Sequence, residues 1–151
     1  MMQRLLTILL SCLIFVVACS GDSTSPEQQV RNTLTAMEDA AQKRSMSDFM
    51  RYISDDYTDH HGQNKDALKG FAQLLFLRNQ KITIFTVIKS IDIKNDVAKV
   101  ELSAAMASRE VDLSQEINRL KADTQRFSIT LKPNKKNDAW LVKSANWQQG
   151  W

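Results

Sequence analysis

The chain has little of what punctuates or cross-links a fold. Its 151 residues contain two prolines, four glycines and two cysteines. So few breakers predict long regular elements, and no internal repeat is visible. One of the two cysteines, Cys12, lies in an apolar leader, so an intramolecular disulfide is not available to the rest of the chain. A surplus of one charge is also missing. Twenty Lys and Arg stand against 17 Asp and Glu, too even a balance to argue for nucleic acid. Histidine is limited to the adjacent pair His60 and His61.

What is present begins at the N-terminus. Arg4 is the only charge before an apolar run from Leu5 to Val17. As a helix this run spans roughly 20 Å, short of a hydrocarbon core of about 30 Å. A positive start and a short apolar run describe an export signal, not a permanent span. The run ends in Val16-Val17-Ala18-Cys19-Ser20. This resembles the bacterial lipobox, with Val16 where Leu is usual. The resemblance implies that residues 1–18 are removed and that Cys19 becomes the acylated N-terminus, a membrane attachment through lipid. Plain export with an incidental cysteine is the competing reading. A thioether to lipid accounts for a lone thiol in an oxidising compartment. Residues 19–25 are then the lipidated cysteine and a small polar tether reaching about 20 Å when extended. Enterobacterial sorting retains proteins with Asp after that cysteine at the inner membrane. Ser20 stands there here, which implies the outer membrane, facing the periplasm.

Residues 26–151 suit one domain. Ser25-Pro26-Glu27-Gln28 reads as a helix start, with Gln28 able to close a capping box. Val30, Leu34, Met37 and Ala41 make one apolar face. A second helix starts near Ser45, with Met46, Phe49, Met50 and Ile53 inward, and ends in the polar stretch 54–62. A third runs from about Asn64 to Leu77, with Leu68, Phe71, Ala72, Leu75 and Phe76 buried. The period then changes to 2. Residues 81–93 are β-branched, with apolar side chains on both faces, which predicts a strand covered on both sides. A turn at 94–96 leads to a strand from Val97 to about Ser108, with Ala98, Val100, Leu102, Ala104 and Met106 on one face. Leu113, Ile117 and Leu120 suggest a short helix within 109–124. Strands at 125–132 and 139–147 complete the chain, joined by a hairpin loop. The expected class is α+β: three N-terminal helices packed on a curved antiparallel sheet of about four strands.

This order resembles the NTF2-like superfamily of cone-shaped domains, which includes SnoaL-like proteins and ketosteroid isomerase. Three local patterns carry the resemblance. Phe49 to Tyr57 is similar to the family's second helix ending in an acidic pair. Gly62 followed by Asn64 to Leu68 is similar to the turn into its third helix. Trp140 to Trp147 is similar to its final strand. The superfamily contains enzymes and pure binding modules, so the fold does not give the function.

The densest chemistry lies in Ser54-Asp55-Asp56-Tyr57-Thr58-Asp59-His60-His61-Gly62. On an extended chain His60 and His61 point to opposite sides, which leaves too few ligands for a zinc site; no metal and no cofactor are expected. The resemblance to ketosteroid isomerase places Asp59 where that enzyme keeps its general base, with Tyr57 or His61 as helpers. The same resemblance calls for a Tyr on the first helix and an acid on a central strand to hold the enolate oxygen. The first helix offers Leu34, Thr35, Ala36 and Met37, and the strand offers only Glu101, alternating outward. The serines lack an elbow motif. A polar helix end and turn is the plain alternative for the whole stretch. Pocket candidates are Tyr52, Tyr57, Asp59, His61 and Trp147. The expected function is non-catalytic binding of a small apolar ligand or an envelope protein, with isomerase or hydrolase chemistry through Asp59 as the alternative. A homodimer through the open sheet face or the 109–124 segment is a further reading.

Overall fold

The computed structural model describes residues 24–107 and 124–149. The leader, Cys19, most of the tether, nearly all of the 109–124 segment and Trp151 lie outside the described residues.

Helix α1 is Pro26–Gln42. Ser25 Oγ accepts from the Gln28 amide at 3.2 Å, and Pro26 occupies the first turn. The capping box does not close, because the Gln28 side chain donates to Asn32 instead. Val30, Leu34 and Ala41 are buried and Met37 packs against the core, as their spacing predicts. A turn through Arg44, with φ of 54°, leads to α2, a single short turn of helix at Met46–Met50.

The chain then departs from the expected order. Ile53–Asp59 is a strand, β1, not the end of a helix. Its hydrogen-bonding partner is the last strand, and the two run parallel. After a turn, α3 covers Lys65–Arg78, with Asn64 Oδ1 accepting from the Ala67 amide at 3.0 Å. Ala72 and Phe76 are its buried residues, while Phe71, expected inside, is 63% exposed. Four antiparallel strands follow: β2 Thr83–Lys94, β3 Val97–Ala107, β4 Gln125–Pro133 and β5 Trp140–Gln149. The sheet has five strands in the order β1-β5-β4-β3-β2, one more than the sequence suggested. Asn95 and Asp96, at φ of 50° and 57°, form the two-residue turn between β2 and β3, the left-handed pair a tight hairpin favours.

Two bulges organise the inner face. In β2 the pairing shifts between Ile88 and Ser90, so Lys89 is an extra residue. The shift brings Ile91 and Ile93 to the side already occupied by Ile88. The bulge accounts for Ile91 and Ile93, while Phe85 stays on the other side, half-buried opposite the buried Ala105, and Val87 next along that side is 58% exposed. In β5 the same device inserts Lys143, so Val142 and Ala145 both face the core. Bulges bend the strands that carry them and let a sheet wrap around the elements packed on it. The core inside contains Val30, Leu34, Ile53, Tyr57, Val100, Leu102, Leu131, Trp140 and Val142, all buried. Met106, expected inside, is 39% exposed near the end of β3. No described helix is long and apolar enough to cross a membrane.

Candidate functional site

The polar stretch 54–62 splits into an edge strand and a turn, and most of its charges are engaged. Asp55 pairs with Lys65 at 2.9 Å, and that hydrogen bond and charge hold its carboxyl below the usual range. Lys65 Nζ also donates to the Ile53 carbonyl at 2.7 Å, tying the start of α3 to β1. Asp56 pairs with Lys143, the bulge residue of β5, and accepts from Ser54 Oγ at 2.5 Å. These contacts pin β1 to its neighbours on its solvent side.

Tyr57 and Asp59 point inward. Tyr57 is 4% exposed and belongs to the core. Burial, with the Asp59 charge second, pushes its phenol up to about 12. Asp59 is 8% exposed. Its Oδ1 accepts from the His61 amide at 2.8 Å and the Gln63 amide at 2.9 Å, while its own amide donates to the Gln63 carbonyl. An Asp that bonds the backbone of the next residues in this way closes a turn. Gly62, at φ of 76°, completes it.

That turn overturns the expected divergence of the two histidines. The chain is not extended here, and the rings of His60 and His61 lie 3.8 Å apart. The His60 amide donates to the Ala145 carbonyl at 3.2 Å, which docks the turn onto β5. Both imidazoles then meet Trp147 edge-on, His60 at 4.4 Å and His61 at 5.7 Å. Trp147 pairs in register with Phe127, their rings 6.4 Å apart. The result is a rim of four rings at the end of β1 and β5. Phe127 packs against the core, and both histidines are exposed.

Of the five pocket candidates, His61 and Trp147 are in ring contact. Tyr57 and Asp59 lie inward on the same end of β1. Tyr52 stands before the start of β1, roughly 20 Å of strand away, where its carbonyl accepts from the Val142 amide. His60, weighed in the sequence only as a metal ligand, and Phe127 join the rim from outside the pocket candidates. The signal for Phe127 was its inward position opposite Trp147; the signal for His60 was absent, because it depended on the turn.

The arrangement offers aromatic surface beside one inward carboxylate. The one buried polar side chain of α1, Thr33, accepts from the Trp140 amide at 3.0 Å, and Glu101 lies on the outer face of the sheet with Arg126, Ser128, Asn146 and Gln148 around a shallow depression of about 170 Å³. Among the described residues no three His, Cys, Asp or Glu side chains gather to hold a metal ion.

No family profile and no curated protein matches the sequence. Solved structures do match. A domain of unknown function with a cystatin-like fold from Nostoc punctiforme aligns with a TM-score of 0.64 at 12% identity, over 85% of this chain and 80% of its own. An NTF2-like protein of unknown function from Shewanella oneidensis aligns at 0.60 and 12% identity, over 82% and 98%. A protein of the NTF2-like family from Streptomyces avermitilis, proposed to be a dehydratase, aligns at 0.63 and 13% identity, over 82% and 95%. The fold is the NTF2-like cone. In this chain β1 is an edge strand of the one five-stranded sheet on which the helices pack, and the aromatic rim marks one end of the inner sheet face.

Proposed function

We propose that the chain is a cell-envelope lipoprotein, anchored through Cys19 at the outer membrane, whose NTF2-like domain binds without catalysing. The apolar leader and lipobox-like run support the anchor. The observation that carries the binding reading is the buried side-chain cluster on the inner face of the sheet. Val30, Val100 and Leu131 are fully buried, and Tyr57 and Trp140 belong to the same core cluster with 4% and 2% exposure. Among the described residues this favours contact at the rim over capture of a ligand deep in the cone. His60, His61 and Trp147 would meet an apolar or aromatic group of an envelope protein or of a small molecule, since aromatic rings attract one another through edge and face contacts.

The test is a photo-crosslinking residue in place of His60 in the intact, exported protein. A discrete adduct that disappears on Trp147→Ala is expected. Labelling that is diffuse, or unchanged by Trp147→Ala, would overturn the rim as a binding site. The second reading, an isomerase or hydrolase with Asp59 as base, rests on its inward carboxylate beside Tyr57. It requires turnover that Asp59→Asn abolishes while the fold survives.

A further inference from the structure

The base of the tether is tied to one end of the sheet. Gln29, in the first turns of α1, donates through Nε2 to the Thr24 carbonyl at 3.1 Å. Its Oε1 accepts from Trp140 Nε1 at 3.2 Å. One turn further on, Thr33 Oγ1 accepts from the Trp140 amide at 3.0 Å. Trp140 opens β5 and is 2% exposed. Thr24 therefore leaves the domain beside the β4–β5 hairpin, where Pro133 pairs with Trp140.

The aromatic rim lies at the opposite end of the same strands. Trp147 pairs there with Phe127, and the stretch of β4 from Pro133 to Phe127 covers about 20 Å. Helix α1 runs from the first end towards the second. Its first turns meet Trp140, and Gln42 at its last turn accepts from the Ile84 amide at 3.2 Å. Ile84 pairs with Met106, on the far side of the row Ala104, Gln125 and Gln149 that follows the rim. Thr24 precedes the whole helix and so sits at the end remote from the rim.

Tether length turns this placement into an orientation, a step that rests on the lipoprotein reading and on the rim as the binding site. From Cys19 to Thr24 the chain reaches at most about 18 Å. That is less than the about 20 Å of strand between exit and rim, and the body of the domain lengthens the path. The domain cannot bring its rim down onto the bilayer that holds its anchor. Two copies in one bilayer present their rims in the same direction, which closes the head-to-head contact that a two-fold pair of rims would need. The rim is also not a pocket. Small ligands take concave sites that bury most of their surface. Here His60 and His61 are exposed, and Phe127 packs against the buried cluster that holds Tyr57 and Leu102. Surface aromatics of this kind are enriched where proteins meet.

We propose that the rim is a protein-docking patch held on the side of the domain away from its membrane, where it takes an apolar or aromatic side chain of a different protein presented from the aqueous envelope.

The experiment uses the full, lipid-modified chain in vesicles that carry an energy-transfer acceptor on a lipid headgroup. A donor is placed on Lys135→Cys in the β4–β5 hairpin or on Gln148→Cys at the rim end, both exposed positions. Transfer should be stronger from position 135, and an insert of about 20 Gly and Ser residues before Thr24 should abolish that difference. In cells, a photo-crosslinker at position 60 should capture one discrete protein, and Trp147→Ala should remove the adduct. Equal transfer from the two positions, or stronger transfer from 148, in protein whose Cys19 carries the diacylglycerol mass overturns the orientation and leaves the rim as a binding site. Protein without that mass overturns the anchor and the orientation together. Capture of a lipid, a small molecule or a second copy overturns the protein partner, and no capture overturns the rim itself.

Discussion

Asp59 carries both the turn and the strongest catalytic suspicion, and its contacts separate the two roles. Its Oδ1 holds two backbone amides, so Asp59→Ala leaves two donors unpartnered beside the core. The loss should be about 1–3 kcal/mol by urea unfolding. Asp59→Asn keeps an oxygen acceptor and should cost clearly less. If both substitutions cost the same, the amide contacts do not hold the turn. Beside it, Tyr57 gives a pH signature. Its phenol ionises at 10.0 when free and at about 12 in the fold. The folded state therefore favours the protonated form. The stabilisation is fully present below pH 10 and is lost as pH rises from there through about 12. Tyr57→Phe should flatten the fall of melting temperature across that window and delete the late tyrosinate absorbance step. At this scale the sequence was partly legible. The place of Asp59 before α3 could be read from Gly62 and Asn64, while the close, tilted contact of His60 with His61 could not. It depends on a tight turn whose closure needs the amides of His61 and Gln63 to converge on one carboxylate.

At the scale of elements, the local signals were the readable ones. Ser25-Pro26 and Asn64 announce α1 and α3 because a cap is written into adjacent residues. Asn64 Oδ1 accepts from Ala67 at 3.0 Å, so Asn64→Ala should destabilise the domain by about 1 kcal/mol in chemical denaturation. No measurable change would mean that the Lys65 contacts to Asp55 and Ile53 fix the helix start alone. The elements that escaped are those made by distant partners. Strand β1 has two consecutive exposed acids, Asp55 and Asp56, where alternation should place one inside, and so it reads as a helix end. Only its parallel pairing with β5, far along the chain, makes it a strand. The β2 bulge hides in the same way. Lys89 shifts the parity of the isoleucines, and a strict period of two then assigns them to opposite faces. Phe71 was misplaced for the converse reason: a helix with two apolar arcs gives a periodicity that does not say which arc faces the core.

For the molecule as a whole, the fold and the proposed anchor are physically independent. Every buried core residue described lies at or after Val30, and α1 is already capped by Ser25. That core is built from residues well beyond position 19, so losing the lipid should not cost folding energy. Cys19→Ser is therefore expected to shift the protein out of the membrane fraction, or leave it unprocessed, while the domain, once released from the leader, melts at the wild-type temperature. Fractionation, mass spectrometry of the N-terminus and thermal unfolding of the two forms check this together. Unchanged membrane partition of Cys19→Ser protein that carries no lipid mass would contradict lipidation and point to the apolar leader as the retaining element. A lowered melting temperature would contradict the independence of tether and core. The two results are separable because one reads the first residues of the mature chain and the other reads a core that begins beyond them.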